Sequence, residues 1–394
     1  MKSHKRPVVF YTFRMTASTV QNLLTEYFPA FKEKHTLPLY QIKAAEKLQA
    51  CRTSELGGHM QVCPKGHLNG IWYNSCKHRS CPQCRGIQAE RWLQRTRNTL
   101  IECPHHHIIF TVPHELNFLW LNNRQLIADV LFHAVQDTIN TLSKDKSHLG
   151  ATPGYILALH TWGRNLTLHP HIHCLISHGG LNESIQTWQE PKRKSLFPAE
   201  PLRRLYRAKF IADLKHQVKE ERINLPESLS KQQFLNLLNK LGRQTWVVHC
   251  CPRYDHGDGV SKYLARYIRG GPFNNSQVLN IKDGCIVFRY LDHRTHKTTK
   301  MILPVDDFLQ RLLLHIPEPR KVLVRHYGLY HSKSRAKLNV ARANFKQEAV
   351  AEVVTIDWQT YLGKLDGMPT CSECGAPLLM HLENEKTEVA EASL

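Results

Sequence analysis

Apolar residues recur at three- and four-residue spacing over residues 17–50: Leu23, Leu24, Tyr27, Phe28 and Phe31, then Ile42, Ala45 and Leu48 after Pro38. That period returns side chains to one face of an α-helix, so two helices broken at the proline are predicted. The pattern stops over residues 51–84, which are rich in Cys, His and Gly, and a basic helix runs from Glu90 to Leu100. Beyond it the texture becomes strand-like. His107–Val112 (closed by Pro113), Gly154–His160, Leu168–Ser177 and Trp246–His249 are apolar runs of strand length. A helical pattern fills 124–142, a polar helix-prone insertion 199–243, and another helix 260–269. Strands around Cys285–Tyr290 and a helix near 306–315 precede a basic stretch from Arg320 to Arg342 and a polar tail beyond Glu383, without internal repeats. The expected class is α+β: a helical, metal-binding region over 1–100, a sheet-centred region over 101–315 carrying the 199–243 insertion, and a basic C-terminal region over 316–394.

Within the run Leu168-His169-Pro170-His171-Ile172-His173-Cys174 the strand reading has chemical content. Residues two apart on a strand share a face, so His171 and His173 project together while Ile172 packs the other way. Two imidazoles leave a bound metal with open positions for phosphate oxygens. A third ligand is expected from an adjacent strand. His160, joined to the run through Trp162-Gly163-Arg164-Asn165 as a hairpin loop, is best placed. The competing reading is a set of hydrogen-bonded core histidines.

Twelve cysteines are present, and five fall between Cys51 and Cys84 among histidines, a pattern that favours metal over disulfides. Cys63-Pro64-Lys65-Gly66-His67 and Cys81-Pro82-Gln83-Cys84 each offer a ligand pair. Thiolates and imidazoles in tetrahedral fours select Zn²⁺. The preferred structural zinc set is Cys63, His67, Cys81 and Cys84, with Cys51, His59, Cys76 and His78 as a second set. Cys371-Ser372-Glu373-Cys374 is a further knuckle with no evident second pair nearby.

Charge narrows the partners. Fifty-three Lys and Arg oppose 33 Asp and Glu, a formal net charge of +20 over 394 residues. Such an excess favours polyanions through phosphate contacts. No apolar run approaches the roughly 20 residues of a membrane span, and Val8–Phe13 is short for a secretory signal, so a cytoplasmic, nucleoid-associated protein without membrane partners is expected. Tyr263-Leu264-Ala265-Arg266-Tyr267 then places two phenols at i, i+4 on one helical face, with Lys262, Arg266 and Arg269 as candidate backbone-binding cations. A tyrosine attacking a phosphodiester forms a phosphotyrosine link and frees a 3′ hydroxyl. The broken bond's energy is conserved, so rejoining needs no ATP.

From about Leu37 to Leu329 the chain resembles the rolling-circle transposases of the insertion sequence 91 family, two-tyrosine members of the HUH endonuclease superfamily. The resemblance rests on Cys51-Arg52-Thr53 with Leu56-Gly57-Gly58-His59; on Tyr73-Asn74-Ser75-Cys76 through Cys84; and on Phe110-Thr111-Val112-Pro113. It continues in His160-Thr161-Trp162-Gly163 leading to His169–His173, in Tyr263–Tyr267, and in Arg325-His326-Tyr327-Gly328. Gly66 stands where many members have a cysteine, and Ser80 where histidine is frequent. The resemblance implies an HUH nuclease domain with a central antiparallel sheet flanked by helices. It also implies Mg²⁺ or Mn²⁺ at the histidines, Tyr263 and Tyr267 as nucleophiles, and single-stranded DNA at transposon ends and target DNA as substrates. Two readings compete: a plasmid replication initiator or relaxase with the same site, and a non-enzymatic zinc-containing DNA-binding protein.

Overall fold

The structure, a computed structural model, describes residues 19–257 apart from 68 and 194, then 259, 265, 271–364 apart from 293–294, and 370–380 apart from 372. Of the helix expected over 260–269 only Ala265 is described; Tyr263, Tyr267, Lys262, Arg266 and Arg269 lie outside these residues, as does the polar tail beyond Glu383.

Thr19 opens helix α1 (Val20–Lys34) by accepting the Asn22 amide on its hydroxyl, which satisfies one of the donors a helix start leaves over. α2 (Leu39–Gln49) follows the proline break, and the chain then forms β1 (Gly58–Val62) and β2 (Asn69–Tyr73). The basic helix α3 (Arg85–Thr99) leads to β3 (His105–Thr111), α4 (Asn117–Asn122) and α5 (Arg124–Lys144). The hairpin β4 (Gly154–Trp162) and β5 (Leu168–Ser177) comes next, then a small hairpin β6 (Gly180–Asn182) and β7 (Thr187–Gln189). Helix α6 (Ala199–Lys219) and α7 (Lys231–Leu241), the latter opened by a Ser230/Gln233 capping box, precede β8 (Val248–Cys250). The C-terminal third holds β9 (Val278–Lys282), β10 (Cys285–Leu291), β11 (Thr298–Pro304), α8 (Val305–Leu314), β12 (Val324–Gly328), α9 (Arg335–Ala343), α10 (Trp358–Gly363) and β13 (Leu379–Met380).

The fold mixes helix and sheet around a five-stranded antiparallel sheet of order β12-β4-β5-β3-β8. One of its faces is apolar. Phe110 from β3, Leu157 and Leu159 from β4, and Ile172, Cys174 and Ile176 from β5 are buried in one core with α5 and α6. The 199–243 segment is therefore no appendage. Its Leu202, Tyr206, Phe210, Leu214, Phe234 and Leu238 are fully buried in that core, and the Tyr206 hydroxyl donates to the Thr111 carbonyl at 3.1 Å. Removing a buried ring leaves a cavity as well as losing transfer free energy, so Phe210→Ala is expected to cost about 3–5 kcal/mol. Denaturant unfolding checks this; a loss below about 1 kcal/mol, the size of a surface substitution, would mean that Phe210 does not build the core.

Packing does not follow the linear division at 100 and 315. Leu23, Leu24, Phe28 and Phe31 of α1 share a second core with Phe273, Phe288, Phe308 and Leu309, joining the start of the chain to the β9–β11 sheet and α8. β12 lies beyond 315 yet forms an edge of the five-stranded sheet, pairing with β4 from Val324↔Ala158 to Gly328↔Gly154. Arg325 ties it down through an ion pair with Asp129 of α5 and a guanidinium 4.1 Å from the centre of the Phe132 ring. Gly328 ends the strand at φ +57°, and a Cβ there would run into the Pro153 carbonyl oxygen, so the position admits no side chain. β13 returns to the N-terminal region and pairs with β1. Among the described residues no helix is long and apolar enough to cross a membrane.

Candidate active site and metal centres

Register decides which side chains meet on the sheet's second face. His160 of β4 lies opposite His171 of β5, and Ala158 opposite His173; on the other side Thr111, Ile109 and His107 of β3 lie opposite His171, His173 and Leu175. Directly opposed residues of antiparallel strands share a face. His160, His171, His173 and His107 therefore project together, away from the α5/α6 core. A register shift between His160 and Trp162 interrupts the pairing beside the site before it resumes at Trp162↔Leu168. Trp162 then stacks on the His160 ring at 4.9 Å and 11°.

One ring nitrogen from each of His160, His171 and His173 lies within 4.8 Å of the others. All three residues are buried, at 3%, 8% and 3% exposure, with His171 the most open. The Nδ1 of His171 stands 2.6 Å from the His169 carbonyl oxygen, which can only accept, so Nδ1 carries a proton and the neutral ring has its lone pair on Nε2. That nitrogen is 3.0 Å from Nε2 of His173. Two ligands at right angles around an ion with bonds of about 2.1 Å are separated by about 3.0 Å, so the pair fits a divalent ion. Burial first, and neighbouring histidines second, hold His160 and His173 well below the ordinary imidazole pKa. Both are neutral at pH 7, the form that ligates metal. Imidazole nitrogen suits Mn²⁺ better than Mg²⁺, which prefers oxygen.

His107 was read from the sequence only as part of a strand. It stands behind the site, with its Nε2 2.8 Å from Nδ1 of His173 and its Nδ1 3.5 Å from the Cys251 sulfur. Burial, reinforced by His249, pushes its pKa down to about 4, so it too is neutral. The signal in the sequence is the triplet His105-His106-His107 on a strand. Alternation puts His105 and His107 on the histidine face, where His105 Nε2 meets the Tyr330 hydroxyl at 2.7 Å.

The cysteines form two groups, and neither is the quartet expected from spacing. Cys51, Cys76, Cys81 and Cys84 converge, with sulfur–sulfur distances of 3.4 Å (Cys51–Cys84), 3.6 Å (Cys51–Cys81) and 3.7 Å (Cys76–Cys84). Four thiolates at the tetrahedral Zn–S length of about 2.3 Å are separated by about 3.8 Å, so this set fits one Zn²⁺ in a closed shell. Cys63 and His67 stand in the other group, with Cys371 and Cys374. The expected four are split because β1 and β2 carry the Cys63 turn away from the Cys81–Cys84 knuckle, which caps α3. His59 and His78 join neither group among the described residues, and the His78 ring accepts the Ser80 amide at 3.2 Å.

Residues 154–337 match a family model described as "Putative transposase", and residues 23–112 match one described as "Transposase zinc-binding domain". The "Putative transposase y4qJ" of Sinorhizobium fredii (strain NBRC 101917 / NGR234) is 31% identical over 322 residues, covering 80% of this chain and 81% of that protein. The "Transposase for insertion sequence element IS801" of Pseudomonas savastanoi pv. phaseolicola is 30% identical over 322 residues, covering 79% of this chain and 76% of that protein. No solved structure matches the chain.

Proposed function

The chain belongs to the transposases of the insertion sequence 91 and IS801 family, enzymes acting on DNA, and we propose that it cuts and rejoins single-stranded DNA at its element's ends through a 5′-phosphotyrosine. The observation that carries this reading is the convergence of His160, His171 and His173 on one buried face of the central sheet. Three imidazoles from adjacent strands leave part of an ion's shell for phosphate oxygens. His160, His171 and His173 would hold a Mn²⁺ or Mg²⁺, which would supply polarisation of the scissile phosphate and offset its developing charge.

The chain's own groups do the rest. The phenol oxygen of Tyr263 or Tyr267 attacks phosphorus and forms the new P–O bond, and the phenolic proton passes to solvent. The P–O3′ bond breaks, and the departing oxygen takes a proton to become a free 3′ hydroxyl. In rejoining, a 3′ hydroxyl attacks the phosphotyrosine and returns the phenol. With two tyrosines four residues apart in the sequence, one holds a cleaved end while the other cuts again. Lys262, Arg266 and Arg269 hold the DNA backbone beside them.

Behind the three ligands, His107 fixes the ring of His173 as a positioning residue. Loss of such an outer partner commonly costs 10- to 100-fold in metal affinity, so His107→Ala is expected to raise the Mn²⁺ concentration for half-maximal cleavage by about 10- to 100-fold. Cleavage at saturating Mn²⁺ recovers toward wild type. A variant with an unchanged Mn²⁺ requirement removes His107 from the site.

The whole reading is tested by incubating the protein with labelled single-stranded element ends and Mn²⁺. A covalent adduct that survives denaturation is expected. Its absence with wild-type protein overturns the tyrosine mechanism while leaving the family assignment intact.

A further inference from the structure

We infer that Cys63, His67, Cys371 and Cys374 bind a second structural Zn²⁺, which clasps the C-terminal segment onto the N-terminal zinc-binding region. The matched zinc-binding domain spans 23–112, so two of these four ligands come from more than 250 residues beyond its end. Each pair sits in its own tight turn. Gly66, at φ +75°, donates its amide to the Cys63 carbonyl at 2.8 Å, and the Lys65 amide points at the Cys63 sulfur at 3.4 Å. Gly375, at φ +67°, likewise donates to the Cys371 carbonyl at 2.8 Å. Left-handed glycines allow both turns to direct two donor atoms the same way.

Strand pairing brings the two turns together. β13 lies antiparallel to β1, with Gln61 opposite Met380 and Val62 opposite Leu379, next to Cys63. The Cys63 and Cys374 sulfurs are then 3.6 Å apart, and Cys63 Sγ is 3.9 Å from His67 Nδ1. A disulfide brings sulfurs to about 2.05 Å, whereas two thiolates on one zinc stand about 3.8 Å apart. The spacing of 3.6 Å is that of shared ligation.

Apolar burial does not account for the fit. The buried residues of this cluster are Cys63, Cys371 and Leu378, with Trp72, Cys374 and Ala376 packed against them. A three-stranded sheet over so small a core needs a staple, as small metal-folded modules do. The approach of the C-terminal segment is already guided. Asn98 of α3 donates to the Ala351 carbonyl at 2.7 Å and Arg91 to the Ile356 carbonyl at 2.8 Å, so the chain runs back along α3 toward the zinc-binding region.

The two sites differ in exposure. Cys51, Cys81 and Cys84 are buried in the core built on α1 and α2, whereas His67 is exposed and Cys374 half-buried. The ion at the second site is therefore expected to leave first under a chelator. This inference does not depend on the tyrosine mechanism.

The experiment counts zinc by elemental mass spectrometry on full-length protein after exhaustive desalting. Wild type is expected to hold two zinc ions per chain. Cys371→Ser/Cys374→Ser and Cys63→Ser/His67→Ala are each expected to hold one, with the segment around Cys374–Met380 newly open to limited proteolysis and the N-terminal fragment intact. Should the Cys63 variant fail to fold, the Cys371/Cys374 variant decides, because both substitutions lie in the final segment. One zinc in wild type, two in the Cys371/Cys374 variant, or a mass deficit of two hydrogens locating a disulfide among these cysteines would each overturn the second site.

Discussion

Replacing both Tyr263 and Tyr267 by phenylalanine is expected to abolish the covalent DNA adduct and reduce cleavage by on the order of 10⁴-fold or more, the scale on which loss of a nucleophile acts. Phenylalanine keeps the ring and the helical propensity and removes only the oxygen, so circular dichroism and thermal unfolding should be nearly unchanged. The effect is then chemical. A phenol with a pKa near 10 is a weak nucleophile at pH 7 and depends on a polarised phosphate, so removing its oxygen removes the attacking group itself. The single variants should differ: the tyrosine that attacks first controls adduct formation, and the other controls strand transfer. Equal partial losses in both assays would show interchangeable tyrosines. An undiminished adduct in the double variant sinks the assignment of both.

Features that depend on short periods were legible from the sequence. Alternation along Leu168–Ser177 is enough to put His171 and His173 on one face, and a hairpin between adjacent runs is enough to bring His160 opposite His171. Periodic segments such as α1 and α5 were legible for the same reason. Features that depend on which distant segments meet were not. Cys63–His67 and Cys81–Cys84 are both sound half-sites, but spacing says nothing about which half-sites share an ion. The partner of the first lies some 300 residues away, where only β13 pairing can deliver it. β12 was hidden for a related reason. Val324-Arg325-His326-Tyr327-Gly328 is an edge strand on a polar face, and its residues are only half-buried, so no apolar run marks it. In the 199–243 segment, charged positions mask a buried stripe from Leu202 to Val218 that covers the main core. His107 was missed because a ring that holds a ligand has no spacing of its own. It follows only once β3 is known to lie beside β5.

The metal face yields the second large effect. His171→Ala/His173→Ala is expected to remove metal-dependent cleavage, a loss well beyond the roughly 10- to 100-fold expected for an outer residue such as His107. Each removed imidazole takes one ligand from a set of three, and alanine supplies no donor in its place, which leaves His160 as the last of the three. His160→Ala tests the third position separately, since its place rests on hairpin register rather than on the His171–Ile172–His173 alternation. Direct binding separates ligation from folding: Mn²⁺ monitored by electron paramagnetic resonance should show tight binding to wild type, weaker binding to each single variant and none at this site in the double variant. The donor set also ranks the ions. Three nitrogen ligands favour Mn²⁺ over Mg²⁺, so wild type should reach half-maximal cleavage at a lower concentration of Mn²⁺. A preference for Mg²⁺ would mean that oxygen, from DNA or from carboxylates, supplies most of the shell. A double variant that still cleaves with metal dependence would place the working ion elsewhere and leave these histidines as a hydrogen-bonded core.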